Sequence, residues 1–350
     1  MKIVIIGDLH FGAKNDSPHF HAMFDKYFTE EFLPYLKEHN ITQVIQLGDL
    51  FDKRRTLCFN TLAECKRYFF RPLEAADITL HTLIGNHDIY FRQSLSVNSS
   101  GLVLGEFKNV HVYDKPSSIQ LADTTIDLIP WICDENKENV FEFIAKSKSE
   151  LCCGHFEIEH FKMNKNMPSQ DGLSKDIFAR YESVWSGHYH TRSDSGNIHY
   201  VGTPYELTWA DYEDPKGFQV FDTETRQTEN IATSCTMFHR HEYDDIKNDY
   251  PSMDYSIFKQ KYIKIVVINK TEPYIFDLFL KKLYSLETYE IKILEDLSDF
   301  SEGNVSTEIN MESTIDVLDS YIDSVADESN CKYIKSFIKS IYLEALATKI

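Results

Sequence analysis

Three apolar runs early in the chain each stop at a glycine: KIVIIG at 2–7, QVIQLG at 43–48 and TLHTLIG at 79–85. Each has the length of a strand. The segments between them, around Phe20–Glu38 and Asn60–Ala75, are long enough for crossover helices. Strand, helix, strand, helix predicts a parallel sheet with right-handed connections. Folds of this kind gather their ligands where the strands end, so the residues just after the three glycines matter most.

Those residues are polar and metal-competent. Asp8-Leu9-His10 follows the first run, Gly48-Asp49-Leu50-Phe51-Asp52 the second, and Gly85-Asn86-His87-Asp88 the third. Two more clusters, Gly154-His155 and Gly187-His188-Tyr189-His190, close later strand-like runs. In D-x-H and H-x-H, alternate side chains of an extended segment face the same way and converge. The glycines allow sharp turns and close approach of the backbone to an ion. Any one cluster alone reads as an ordinary turn or cap; five in order, each at a strand end, do not. Carboxylate, amide oxygen and imidazole without thiolate suit Mn²⁺, Fe²⁺ or Zn²⁺ rather than a cysteine-type structural zinc site. The histidines outside these clusters, from His19 to His241, read as surface or core residues, and Trp131 and Cys133 as packing.

From residue 110 the strands shorten: VHVYD, TTIDLIPWIC, ELCCGHF, SVWSGHYH, NIHYVGTP and GFQVFDTETRQTENI, the last with a hairpin turn near Thr223-Glu224-Thr225. They predict a second sheet packed on the first, an α/β sandwich. A polar, proline-containing stretch at 242–254 marks a boundary, after which YIKIVVIN, IFDLFLKKLYSL and YEIKILED read as strand, helix, strand. The expected division is a sandwich domain at 1–242, a small α+β capping unit at 255–300 and a helical tail at 313–350. In the tail, Ile334, Phe337, Ile338, Ile341, Tyr342, Ala345 and Leu346 form one apolar stripe at helical spacing.

Composition limits the function. A hydrophobic content of 42% supports a sizeable core, but a net charge of −19 argues against indiscriminate binding of polyanions. The acid is uneven: residues 293–331 hold eleven Asp or Glu and no Lys or Arg, whereas Lys53-Arg54-Arg55 is a local basic cluster. The seven cysteines lack C-x-x-C spacing and read as reduced thiols. No apolar run reaches bilayer-spanning length, and the N-terminal MKIVIIGDLHFG reads as a buried strand rather than a leader. The expectation is a cytoplasmic protein with no membrane partner.

The ordered motifs GDLHFG, GDLFDKRR, TLIGNHD, YDKP, DLIPW, VWSGHYHT and YVGTPYELTWADYEDPKGFQVFD resemble those of calcineurin-like metallophosphoesterases. Within that superfamily the chain is similar to SbcD-type DNA nuclease subunits, and more closely to the recombination nuclease subunits of tailed phages. The resemblance implies a two-metal site, manganese ahead of magnesium. One ion would be held by Asp8, His10, Asp49 and His190, the other by Asp49, Asn86, His155 and His188. It further implies His87 as the catalytic group facing the scissile phosphate, with Asp52 and Asp88 orienting the ligands. Lys53, Arg54 and Arg55 would then contact the DNA backbone at the mouth of the site.

The activity implied is a metal-dependent exo- and endonuclease of recombination, replication and double-strand break repair, acting on single strands and duplex ends. Its implied partners are an SMC-like ATPase, docked by the tail, and a second copy of the chain within a heterotetramer. The helix FNTLAECKRYFFRPL at 59–73, with Phe59, Leu62, Phe69 and Phe70, is the candidate dimer surface. The alternative is a metallophosphodiesterase for small or nucleotide substrates. Protein phosphatases of the superfamily favour GDxVDRG and GNHE, unlike GDLFDKR and GNHD here. A scaffold without activity would have lost ligands that this chain keeps.

Overall fold

The structure, a computed structural model, describes residues 1–164, 167–169 and 172–294. The three glycine-terminated runs form β1 (Lys2–Ile6), β2 (Gln43–Gln46) and β3 (Thr79–Leu83), adjacent and parallel. Helical stretches supply both crossovers. The first runs through Pro18–Lys26, Tyr27–Phe32 and Leu33–Glu38, with proline at its start. Just beyond it Asn40 takes a left-handed φ of 53°, a common way to end a helix. The second runs through Phe59–Cys65, Lys66–Phe70 and Arg71–Ala75.

A hairpin of β4 (Ile89–Phe91) and β5 (Ser94–Asn98) follows, turning at Arg92 and Gln93. Then β6 (Val110–Tyr113) pairs in parallel with β3, Val110 opposite Leu80. The second sheet opens with β7 (Ser117–Leu121), β8 (Thr124–Ile129) and β9 (Leu151–His155). A short ribbon of β10 (Lys162–Asn164) and β11 (Met167–Pro168) precedes β12 (Ser183–Gly187), β13 (Ser193–Ser195) and β14 (Ile198–Tyr200), which complete that sheet. The chain then returns to the first sheet as β15 (Gly217–Asp222), antiparallel to β1, and β16 (Thr228–Ala232).

The strand pattern assigns VHVYD and GFQVFDTETRQTENI to the second sheet, yet both lie in the first, as β6 and as β15 with β16. A strand's own pattern says that it pairs, not with which neighbour. Here β15 comes back from far along the sequence to lie beside β1 in the same sheet, Lys2 opposite Asp222.

Alternation along the strands sorts the layers. Ile3, Ile5, Ile45, Leu47 and Leu83 face the second sheet and meet Ile126, Leu128, Leu151, Cys153 and Trp185. Val4, Ile6, Val44 and Leu80 face the crossover helices and their phenylalanines. The outer face of the second sheet, with Cys152 and Val184, is covered by Val140 and Ile144 of the helix Lys137–Lys146. The product is a helix–sheet–sheet–helix sandwich. On the 59–73 helix, Phe69 and Phe70 belong to the core, whereas Phe59 is 92% exposed.

A third sheet of β17 (Phe238–Asp244), β18 (Tyr262–Asn269) and β19 (Glu290–Leu294) packs on the helix Pro273–Tyr284 around Tyr243, Phe258, Ile265 and Phe279. Its first strand begins ahead of the polar 242–254 stretch. The expected tail at 313–350, and the capping unit beyond Leu294, lie outside the described residues. Among the described residues no helix is long and apolar enough to cross a membrane.

Candidate metal centre

The loops after β1 and β2 are zipped together. The N–H groups of Leu9 and His10 donate to the Asp49 carbonyl at 3.1 and 3.0 Å, and the N–H of Phe11 donates to Leu50 O at 2.9 Å. The Phe11 ring is anchored among Phe24, Phe28, Phe69 and Phe70. From the other side the Tyr205 hydroxyl donates to Leu9 O at 2.7 Å. This tight frame holds three non-glycine residues at left-handed φ: His10 (46°), Asp49 (51°) and His188 (82°). Such conformations cost roughly 1–3 kcal/mol each and persist where the surroundings over-determine them, often at functional sites. Asp8 and His10 therefore converge through a turn at His10, not through the extended alternation that the spacing suggested.

Two glycines make room. Gly48 has φ of 97°, and a Cβ there would lie 2.7 Å from His155 Nδ1. A Cβ on Gly85 would lie 2.2 Å from the Asp49 backbone nitrogen. Neither position accepts a side chain without moving the site.

Seven side chains from both sheets meet here. His10 Nε2 is 3.1 Å from His190 Nε2 and 3.9 Å from Asp49 Oδ2, and His190 Nε2 is 3.7 Å from Asp8 Oδ2. On the other side, His155 Nε2 is 3.5 Å from Asp49 Oδ2, and Asn86 Oδ1 is 2.9 Å from both His155 Nε2 and His188 Nδ1. Asp8, His10 and His190, and likewise Asp49, His155 and His188, place ligand atoms within 4.8 Å of one another. Asp49 lies between the two groups.

Electrostatics explains what the cluster accepts. Burial drives the Asp8 carboxyl well above the usual carboxylate range, and the neighbouring Asp49 adds to this against the opposing pull of His155. Burial also works on Asp49, but the charge of His155 overrides it and holds Asp49 well below that range. Burial holds His10 far below the ordinary imidazole value, helped by His190, and lowers His188 to about 3, helped by His155. Burial presses His155 down, but the Asp49 and Asp8 carboxylates outweigh it and raise it to about 9. Its Nδ1 donates to Leu47 O at 2.8 Å, so Nε2, facing Asn86 and Asp49, is the atom it can offer a cation. Two carboxylates and four converging imidazoles, nearly all buried, form a set in which a cation can take the place of the protons that Asp8 and His155 otherwise retain. The donor set fits divalent ions.

The expected supporting residues surround it. Both oxygens of the buried Asp88 carboxylate accept backbone N–H groups: Oδ2 from Gly85 at 2.9 Å, Oδ1 from Leu50 at 3.1 Å and from Phe51 at 3.2 Å. It ties the third loop to the second. Asp52 places Oδ1 3.6 Å from His10 Nδ1, and its carbonyl accepts the His87 Nδ1 proton at 2.6 Å. The N–H of His87 donates to Asp49 Oδ1 at 2.6 Å. Of the basic cluster, Arg54 is half-buried beside the site, while Lys53 and Arg55 are exposed.

Three neighbours of the site are not visible in the sequence pattern. Trp131 does pack, but on ligands: its ring lies 5.1 Å from that of His188 and 5.8 Å from that of His155. Arg92, at the tip of the β4–β5 hairpin, stands beside Arg54. Lys216 is buried behind His190 and donates to its carbonyl. The DYEDPKGF segment contains Lys216 close to acids at Asp211 and Asp214, but nothing in it shows which loop the ammonium reaches.

Residues 1–218 match the profile of the calcineurin-like phosphoesterase family. The chain belongs to that family. It is 34% identical over 352 residues to Exonuclease subunit 1 of Enterobacteria phage T4, with 99% of each chain covered. It is 21% identical over 383 residues to the SbcD component of the nuclease SbcCD of Staphylococcus epidermidis, covering 97% of this chain and 99% of that one. A solved archaeal phosphodiesterase is similar at 14% identity and a TM-score of 0.35, over 67% of this chain and 100% of that one, too slight a likeness to argue from. This calcineurin-like phosphoesterase is a metal-dependent phosphodiester hydrolase, and the donor clusters described above are where divalent ions fit.

Proposed function

We propose that this calcineurin-like phosphoesterase is the nuclease subunit of a DNA-processing complex of recombination, replication and double-strand break repair. What carries the reading is full-length similarity to Exonuclease subunit 1 in a chain that brings seven metal donors from the strand ends of both sheets to one place. The names of that relative and of the SbcD component of the nuclease SbcCD each describe one part of an assembly.

Asp8, His10, Asp49 and His190 would hold one ion, and Asp49, Asn86, His155 and His188 the other, with manganese favoured over magnesium. When bound, such a pair supplies Lewis-acid activation of a water and of the scissile phosphate. The chain's own residues do the rest. Asp88 ties the Asn86 loop to the Asp49 loop by accepting the backbone N–H groups of Gly85, Leu50 and Phe51. His87 has its Nδ1 proton committed to Asp52 O at 2.6 Å, so Nε2 is the atom left to meet the phosphate. There it stabilises the transition state or protonates the leaving oxygen. Lys53, Arg54 and Arg55 position the DNA backbone without reading sequence.

The same reading assigns 1–242 to the nuclease domain, 255–300 to a capping unit and 313–350 to the docking of an SMC-like ATPase. The exposed Phe59 supports a homodimer through the 59–73 helix, within a heterotetramer. The test is to incubate the purified protein with labelled single-stranded and duplex DNA in Mn²⁺, Mg²⁺ or EDTA, alongside bis-p-nitrophenyl phosphate. Manganese-dependent cleavage of DNA, abolished by EDTA, is expected. Turnover of the small diester without DNA cleavage would instead select the small-substrate phosphodiesterase.

A further inference from the structure

A second recess, of about 350 Å³, lies beside the metal centre, and its lining includes Arg54, Arg92, Gln93, Trp131, Asp134 and Lys137. Three of these are cations and one is a carboxylate. Among the described residues none of the three cations is ion-paired. Burial holds Arg54 below the ordinary guanidinium range, and the like charge of Arg92 presses the same way against Asp49. Three cations against one carboxylate leave an excess of like charge, which an anion seated between them relieves. The recess meets the metal centre at Trp131, whose ring packs at an angle against those of His188 and His155.

The β4–β5 hairpin adds the second half. It starts two residues after His87 and exposes Tyr90 (43%) and Phe91 (52%), whose rings meet edge-on at 4.9 Å. Arg55 lies over the Tyr90 ring at 5.7 Å. The hairpin is not loose: Gln93 Oε1 accepts from Asp134 N–H at 3.1 Å, and Glu135 Oε2 accepts from Leu95 N–H at 2.7 Å. Large aromatic faces left in water beside unpaired arginines stand out in a chain of net charge −19. Cations that track phosphates beside rings that stack bases are the two parts of a single-strand binding surface. Duplex DNA does not satisfy the aromatic half, because its bases already cover one another.

We infer that the recess and the hairpin form a subsite for an unpaired DNA strand next to the scissile phosphate. Arg54, Arg92 and Lys137 hold the neighbouring phosphate, and Tyr90 and Phe91 stack a base. The subsite rests on the nuclease reading above and adds to it that the strand crosses the site unpaired.

The test uses the full-length protein with Mn²⁺ and two double variants, Arg92→Ala with Lys137→Ala, and Tyr90→Ala with Phe91→Ala. The substrates are a labelled oligothymidylate, a blunt duplex and bis-p-nitrophenyl phosphate. Each variant should lose about ten-fold or more in kcat/KM on oligothymidylate, the size of one lost base stack or phosphate contact. The small diester has no neighbouring phosphate for the recess to hold, so its turnover should stay at the parent level, which also shows that the variants fold. In the Tyr90/Phe91 variant the blunt duplex should lose less than oligothymidylate. Unchanged oligothymidylate cleavage, or an equal loss on the small diester, overturns the subsite. An equal loss on the duplex overturns its preference for an unpaired strand. If the parent protein hydrolyses the diester but no DNA, the nuclease reading fails and takes the subsite with it.

Discussion

Lys216 reaches out of the core to the back of His190, donating its ammonium to the His190 carbonyl at 2.7 Å while Asp211 and Asp214 sit 2.7 and 2.8 Å from the same nitrogen. The lysine is almost fully buried, so its charge is tolerated only because of these partners. Replacing it by methionine keeps the bulk but leaves two carboxylates without their cation and His190 without its rear support. Lys216→Met should lower stability by about 3–5 kcal/mol in denaturant unfolding, the usual cost of breaking a buried pair. It should also reduce bound metal. Burial pushes Asp211 up, but Lys216 wins and holds it below its ordinary value, so its contribution is present at neutral pH and is lost as pH falls through the folded value. The gap between parent and variant should therefore narrow below about pH 4. Unaltered unfolding and metal content in Lys216→Met would remove the lysine from the site's support.

Asp49 stands between the two donor groups, within 3.5 Å of His155 Nε2 and 3.9 Å of His10 Nε2, whereas His190 belongs to one group alone. Asp49→Ala should accordingly lose more metal by mass spectrometry than His190→Ala, and should lose DNA cleavage altogether. Wild-type metal content in Asp49→Ala would defeat the shared-ligand assignment.

Much of this site was legible in the sequence because its residues cluster at strand ends. Glycine-terminated apolar runs mark where β1, β2, β3, β9 and β12 stop, and a metal centre needs donors at such stops. What was not legible depends on contacts between distant segments. Arg92 is an ordinary hairpin-tip arginine until the fold sets it beside Arg54. Lys216 sits in a charged surface-like run, and only the tertiary fold turns it inward to His190. The membership of β6 and β15 in the first sheet was hidden for the same reason, since strand propensity is local and strand pairing is not. The convergence of Asp8 and His10 was foreseen by the wrong geometry: the turn at His10 needs a positive φ that no spacing rule supplies.

His87 offers a separation of chemistry from metal binding. It touches Asp49 through its backbone N–H and Asp52 through Nδ1, so its side chain can be removed without taking a ligand from Asp49. His87→Ala should keep its metal and its melting temperature yet lose about 10²–10³ in cleavage rate, the scale for deleting one transition-state donor. Metal lost in parallel with activity would make His87 a ligand instead, a role that its place near His10 and Asp49 leaves testable.

The basic cluster has a salt signature. If Lys53, Arg54 and Arg55 bind phosphates, replacing all three by alanine should weaken DNA binding most at low salt. The slope of log affinity against log salt should become shallower by about 2, since each phosphate contact on a single strand releases roughly 0.7 of a counterion. An unchanged slope in fluorescence anisotropy titrations would mean that the cluster never meets the backbone.

The tail supplies the last prediction, from sequence alone, because 313–350 lies outside the described residues. Its apolar stripe from Ile334 to Leu346 has Lys332, Lys335 and Lys339 at positions on the opposite helical face, a pattern that suits insertion into a partner's groove. A helix that served only its own domain would be needed for that domain to fold. The site described above draws on no residue beyond Lys216, and the third sheet closes at Leu294. A chain ending at Ser329 should therefore fold, bind metal and cleave single-stranded DNA at the parent rate in Mn²⁺. In a pull-down with the SMC-like ATPase it should no longer be captured, and ATP-stimulated processing of duplex DNA should disappear with it. Undiminished capture of the shortened chain would move the docking surface off the tail, and loss of its single-strand cleavage would make the tail part of the nuclease fold.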